Sequence, residues 1–227
     1  MAIRQLAGFV FDMDGLMYDT ERIIMNAWDK TGKEMGYGPL GFHLFSTLGM
    51  SRSGRKDYFQ KTLGMDFPYD EFQERYAEET YRQTENTVPV KPGLYELLDY
   101  LKQEHYVLAV ATSSSRESAL RKLKNSHLEQ GYFDVIICGD MVKRAKPDPE
   151  IYQIACQKLQ KPPSQLVALE DSENGLKSAL SAGMGAIMIP DLIRDYPDIE
   201  PFLDGKFNRL DELISFIPEH YINICYK

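Results

Sequence analysis

The chain has 227 residues, 43% of them hydrophobic and 26% charged, enough for one sizeable core and too few for several independent domains. A formal charge of -8 argues against nucleic acid, and no apolar run approaches the ~20 residues of a membrane span. The opening MAIRQLAGFVFDMDG lacks a signal-peptide pattern, and Cys138, Cys156 and Cys225 form neither a disulfide framework nor a CxxC zinc pair, so a cytoplasmic protein is expected.

The expected elements alternate. Ala7 to Met13 is a short apolar run rich in β formers, as a buried strand requires. Glu21 to Met35 has helical spacing and stops at GYGPLG, Gly36 to Gly41. Asp57 to Leu63 and Asp70 to Gln83 are helical as well. VPVKPG then breaks the chain, and Gly93 to Glu104 reads as an amphipathic helix. Tyr106 to Ala111 is a second strand. A helix with a serine N-cap begins at Ser114, and Asp134 to Cys138 is a third strand. Pro149 to Leu159 is a helix, Leu166 to Leu169 a strand, Ser172 to Ala182 a helix and Gly185 to Ile189 a fifth strand. The apolar tail PEHYINICYK is expected to pack against the body, and its sequence assigns it no function.

Strands alternating with helices imply an α/β fold: a parallel sheet with helices on both faces. The stretch after the first strand has helices but no strand, so it reads as an all-helical insert. The expected division is a core of residues 1–16 and 89–227, with a cap of residues 17–88.

Ligands of an open parallel sheet bind beyond the carboxyl ends of its strands. There the sequence places Asp12 and Asp14, then Thr112, Ser113 and Ser114, then Lys146, then Glu170 and Asp171. Each piece alone has an ordinary reading: a solvated turn, a helix cap, a surface lysine, a dipole-favoured acid pair. DMDG is not a calcium loop of the EF-hand kind, because its glycine is fourth rather than sixth. The joint placement after four successive strands is what the ordinary readings leave unexplained.

DMDGLMYDT, ATSSS, AKPDP and LEDSENG, in this order and spacing, resemble the haloacid dehalogenase-like superfamily, nearest the branch of β-phosphoglucomutase and sugar-phosphate phosphatases. The resemblance implies a capped Rossmann-like core, Mg2+ dependence and phosphoryl transfer through an aspartyl phosphate. It assigns Asp12 as nucleophile and Asp14 as acid/base. Thr112 and the Ser113 amide would hold phosphoryl oxygens, with Lys146 as their fixed positive charge. Asp12, the Asp14 carbonyl, Asp171 and Glu170 (directly or through water) would hold the metal. The physics agrees: a cation offsets repulsion between a carboxylate nucleophile and a phosphate dianion, and residues i and i+2 of an extended segment face one side.

In the cap, LGMSRSGRK (Leu48 to Lys56) resembles the segment that faces the site in this branch, with Arg52 as a substrate contact and Arg55 and Lys56 as surface charges. Asp19 and Thr20 read as caps of the first cap helix, and the aromatics from Tyr58 to Tyr81 as cap core. Hinges are expected near Leu16 to Asp19 and Val88 to Pro92. The expected activity is hydrolysis of a small phosphorylated metabolite by a monomer or weak oligomer. The alternatives are a β-phosphoglucomutase-type mutase and a non-catalytic metal-binding module; Asp14 disfavours a dehalogenase. Ile24 and Leu48 stand where the mutase carries a cap histidine and a lysine.

Overall fold

The computed structural model describes residues 4–48, 50, 52–129 and 131–225. Its elements run β1 (Arg4–Leu6), β2 (Gly8–Phe11), α1 (Glu21–Glu34), α2 (Leu44–Thr47), α3 (Arg52–Leu63), α4 (Tyr69–Thr84), α5 (Leu94–Gln103) and β3 (Val107–Ala111). They continue α6 (Arg116–Asn125), β4 (Val135–Ile137), α7 (Glu150–Leu159), β5 (Leu166–Glu170), α8 (Glu173–Ser181), β6 (Gly185–Met188), β7 (Gly205–Lys206), α9 (Leu213–His220) and β8 (Tyr221–Asn223). None of the described helices is long and apolar enough to cross a membrane.

Six strands form one parallel sheet in the order β4-β3-β2-β5-β6-β7. The first strand of the motif series is therefore central, with β3 and β5 on either side. Side chains alternate across this sheet as a two-residue period demands. Phe9 and Phe11 of β2 enter one buried cluster with Leu97, Leu101, Leu213 and Ile217. Val10 enters the other with Ile151, Tyr152, Leu176 and Ala179. Both faces are thus covered by helices, which is why the strands read as continuous apolar runs.

The helices between β2 and α5 have a core of their own. Trp28 of α1 meets Phe59 of α3 edge-on at 5.3 Å and Phe72 of α4 at 5.8 Å. Phe67, Tyr69 and Tyr76 complete that cluster, so most of the aromatics expected there are packing residues. The two connections to the sheet run side by side: Asp19 N–H donates to Pro89 O and Lys91 N–H to Met17 O, both at 2.9 Å.

The tail packs by an unexpected route. β8 pairs in parallel with β1, joining Tyr221 to Arg4 and Asn223 to Leu6 in a separate two-stranded sheet. The last two residues of the tail, and Gly49 and Ser51 of the cap segment, lie outside the described residues.

Candidate active site

The carboxyl ends of β2, β3 and β5, with the first turns of α6, converge on a cavity of about 460 Å3 that residues of α1, α3 and α4 line from the other side. Asp12, Asp14, Thr112, Ser113, Ser114 and Asp171 line it. Met13 turns into the sheet cluster, so Asp12 and Asp14 share a side. Gly15 follows with φ +88, and a Cβ there would stand 2.2 Å from Asp171 Oδ2. Glycine both permits the left-handed turn and leaves room for the facing carboxylate.

Lys146 ties the acids together. Its ammonium donates to Asp12 Oδ1 at 2.5 Å, to Glu170 Oε1 at 2.6 Å and to Ala111 O at 2.9 Å. Tyr152 also donates to Glu170 Oε1 at 2.6 Å. One oxygen from each of Asp12, Glu170 and Asp171 lies within 4.8 Å of the others. Among the described residues, no salt bridge reaches Asp171. Burial pushes the Asp12 carboxyl up to about 7, aided by Glu170 and opposed by Lys146. Burial, then Asp12 and Glu170, push Asp171 well above the carboxylate range. Three buried carboxyls against one ammonium leave negative charge uncompensated. Such a hard-oxygen set fits a divalent cation.

Asp14 lies in a different environment. Burial alone would raise its carboxyl. The Lys122 ammonium and hydrogen bonds from Lys122, Thr20 and Ser114 outweigh burial and hold it below its ordinary value. Thr20 Oγ1 donates to Asp14 Oδ1 at 2.6 Å and Ser114 Oγ to Oδ2 at 2.7 Å, while Lys122 contacts Oδ1. Two carboxyls two residues apart are therefore pushed in opposite directions.

The cap residues fall differently from expectation. Thr20 makes no side-chain cap bond to α1, because its hydroxyl is engaged by Asp14; Asp19 pairs with Arg22 at 2.5 Å. Arg52 pairs with Asp70 at 3.4 Å and lines a second cavity of about 290 Å3, which Ser113 and Lys146 also line. Arg55, expected at the surface, lines both cavities, and its buried Nε has no hydrogen-bond partner among the described residues. Ile24 and Leu48 both line the larger cavity. Lys122, Glu21 and Arg121 also line it and were not singled out in the sequence. Lys122 sits in the run RESALRKLKN, which reads as an ordinary basic helix face.

A central parallel sheet, an acid cluster at its carboxyl edge and a helical cover define a capped α/β hydrolase. The chain belongs to the haloacid dehalogenase-like hydrolases: the model of that family matches residues 9–189. Its fold and motifs put it in the sugar-phosphate phosphatase and β-phosphoglucomutase branch, and it is a phosphoric monoester hydrolase. It is 31% identical over 216 residues to a phosphorylated carbohydrates phosphatase of Thermotoga maritima, covering 95% of this chain and 96% of that one. It is 33% identical over 197 residues to the protein CbbY of Cereibacter sphaeroides, covering 82% and 84%. A crystal structure of CbbY from Rhodobacter sphaeroides in complex with phosphate superposes with a TM-score of 0.77 at 27% identity, covering 92% of this chain and 96% of that one.

Proposed function

We propose that the chain is a Mg2+-dependent phosphatase of small phosphomonoesters, sugar phosphates foremost, working through an aspartyl phosphate on Asp12. The observation that carries this reading is the opposed pair: Asp12 beside Lys146 and the acid cluster, Asp14 two residues on beside Lys122, both facing one cavity.

In the first step an Asp12 oxygen bonds to phosphorus, the ester P–O bond breaks, and the leaving oxygen takes a proton from Asp14. Asp14 must gain that proton in the substrate complex, because Lys122, Thr20 and Ser114 favour its carboxylate in the arrangement described above. In the second, water bonds to phosphorus and gives its proton to Asp14. The Asp12–phosphorus bond breaks, and Asp12 returns to a carboxylate. Thr112 and the Ser113 amide hold the phosphoryl oxygens, and Lys146 supplies their fixed charge. Asp12, Asp171, Glu170 and the Asp14 carbonyl would hold the Mg2+, which when bound offsets repulsion between carboxylate and phosphate dianion. Residues 17–88 act as the cap over a core of 1–16 and 89–227, excluding water from the site. Arg52 and Arg55 are the cap cations available to an anionic substrate tail. The names of the phosphorylated carbohydrates phosphatase and of the phosphate-bound CbbY support this substrate class.

The test is phosphate release across a panel of sugar and polyol phosphates, with and without Mg2+, for the wild type and Asp12→Asn. The variant should be inactive yet fold normally. Retention of most of the wild-type kcat would sink covalent catalysis by Asp12.

A further inference from the structure

Lys122 is 7% exposed, and lysine is almost never buried without a partner. Its ammonium reaches out of α6 to Asp14 Oδ1 and lies 3.3 Å from Ser114 Oγ, which itself donates to Asp14 Oδ2. Ser114 and Lys122 thus grip both oxygens of one carboxylate, with Thr20 adding a third donor from the other side.

The grip is registered by the helix itself. One turn after Lys122, Ser126 Oγ bonds Tyr18 OH at 2.7 Å. Tyr18 closes the loop that begins at Asp14, because Gly15 N–H donates to Tyr18 O at 2.9 Å. The segment carrying Asp14 is therefore pinned to α6 at two points spaced i, i+4, which lie on one helix face. The neighbouring positions on α6 hold the cap connection. Asn125 Nδ2 donates to Thr84 O at 2.8 Å and Glu85 O at 2.9 Å, and the Arg121 guanidinium lies 4.2 Å from the Tyr81 ring centre.

We propose that Lys122 is a positioning residue for Asp14: it holds that carboxylate in the one orientation from which it takes the proton of the water that hydrolyses the aspartyl phosphate. This deepens the reading given above and rests on it. In the step concerned, the water oxygen bonds to phosphorus and its proton goes to Asp14. The Asp12–phosphorus bond breaks with its electron pair returning to the Asp12 carboxylate. A long, flexible ammonium in solvent could not fix an acceptor to the few tenths of an ångström this transfer needs; one buried and tied to the loop at a second point can.

The test compares the wild type with Lys122→Met and Lys122→Arg in Mg2+, using p-nitrophenyl phosphate as the probe. Its leaving group needs little protonation, so the first step is insensitive to Asp14 and the second is not. Lys122→Met should lower kcat by ~10 to 10²-fold. Its kcat/KM should stay within about threefold of the wild type, and a burst of about one equivalent of nitrophenol should precede the slow steady state. Lys122→Arg, which restores a cation, should recover most of kcat and lose the burst. A purely structural ion pair would instead lower the melting temperature of Lys122→Met and leave the kcat of the folded enzyme unchanged, and that result overturns the proposal. A parallel fall of kcat and kcat/KM with no burst overturns it too. If Lys122→Met does not fold, Lys122→Gln is read by the same criteria. Failure of the covalent reading itself is seen separately, as retained activity in Asp12→Asn.

Discussion

Lys146 Nζ lies 2.5 Å from Asp12 Oδ1, with their side chains 3% and 11% exposed. The same ammonium is 2.6 Å from Glu170, whose side chain is fully buried. Removing one partner of such a group leaves the others charged and uncompensated, at a cost of ~3–5 kcal/mol. Lys146→Met should therefore melt ~10 °C below the wild type, at ~2–4 °C per kcal/mol for a chain of this size. Its turnover should fall by ~10²-fold or more, as when one fixed charge on the reacting group is lost. Thermal melts and kcat measured side by side check both. A variant melting within ~2 °C of the wild type would mean the acids are neutralised by another route.

Glu170 depends on a glycine one turn into α8. An ideal Cβ on Gly175 would stand 2.0 Å from both Cδ and Oε1 of Glu170. In a helix, alanine is favoured over glycine by ~1 kcal/mol, so Gly175→Ala would be benign or better if Glu170 could stay in place. It cannot, and the displaced carboxylate should weaken the metal site. The Mg2+ concentration for half-maximal activity should rise ~10- to 100-fold. An Mg2+ titration of activity is the check. An unchanged midpoint would remove Glu170 from the metal site and leave Asp171 as the principal ligand after Asp12.

The pH dependence of stability follows from the same burial. Asp12 and Glu21 are raised to about 7, and Asp171 rises well above its ordinary value, burial being the main cause in each. A carboxyl whose pKa is higher folded than unfolded binds its proton more tightly in the folded state. Its contribution is complete below about pH 4 and is lost as pH climbs through about 7. Asp14 is lowered, so it titrates below this window and does not offset the trend. Without metal, the melting temperature should drop by ~5 °C or more between about pH 5 and pH 7.5. Asp171→Asn should flatten that slope, and Mg2+ should restore stability chiefly at the alkaline end. A metal-free melt that is level across the window would mean these carboxyls are solvated in solution.

Much of this molecule can be read in the chain. The buried strands β2, β3 and β5 announce themselves as apolar runs because both faces of a parallel sheet are covered. Asp12, Thr112 and Asp171 follow such runs directly, and Lys146 ends the loop after β4, so topology brings them to one edge. The parts that cannot be read depend on distant contacts. β1 is only Arg-Gln-Leu, and its pairing with β8 joins residues more than two hundred positions apart. Lys122 reaches Asp14 across 108 positions, and nothing in its local pattern separates it from Lys124 on the same helix. Thr20 looked like a helix cap because a cap and a carboxylate partner use the same hydroxyl. Only the distance to Asp14 decides between them.

Two apolar side chains in the main cavity, Ile24 and Leu48, bear on the expected balance between hydrolysis and transfer. A mutase must return its phosphoryl group to a sugar before water takes it, so its cap must help to tell a sugar hydroxyl from water. The resemblance assigns that task in β-phosphoglucomutase to a cap histidine, with a lysine near the cap arginine. Here those positions are Ile24 and Leu48, and both line the main cavity, where neither offers a hydrogen bond or a charge. Meanwhile Asp14 is engaged by three donors two residues from Asp12, so the group that would activate water in the proposed mechanism is already held in position. The enzyme should therefore convert an aspartyl phosphate promptly to inorganic phosphate. The assay supplies β-glucose 1-phosphate with catalytic glucose 1,6-bisphosphate and follows both products. Phosphate release should dominate, with negligible glucose 6-phosphate. Introducing the two missing groups together, Ile24→His and Leu48→Lys, should raise the fraction of phosphoryl groups that reach sugar. Fast glucose 6-phosphate formation by the wild type, with little phosphate released, would make the mutase the better account of this site.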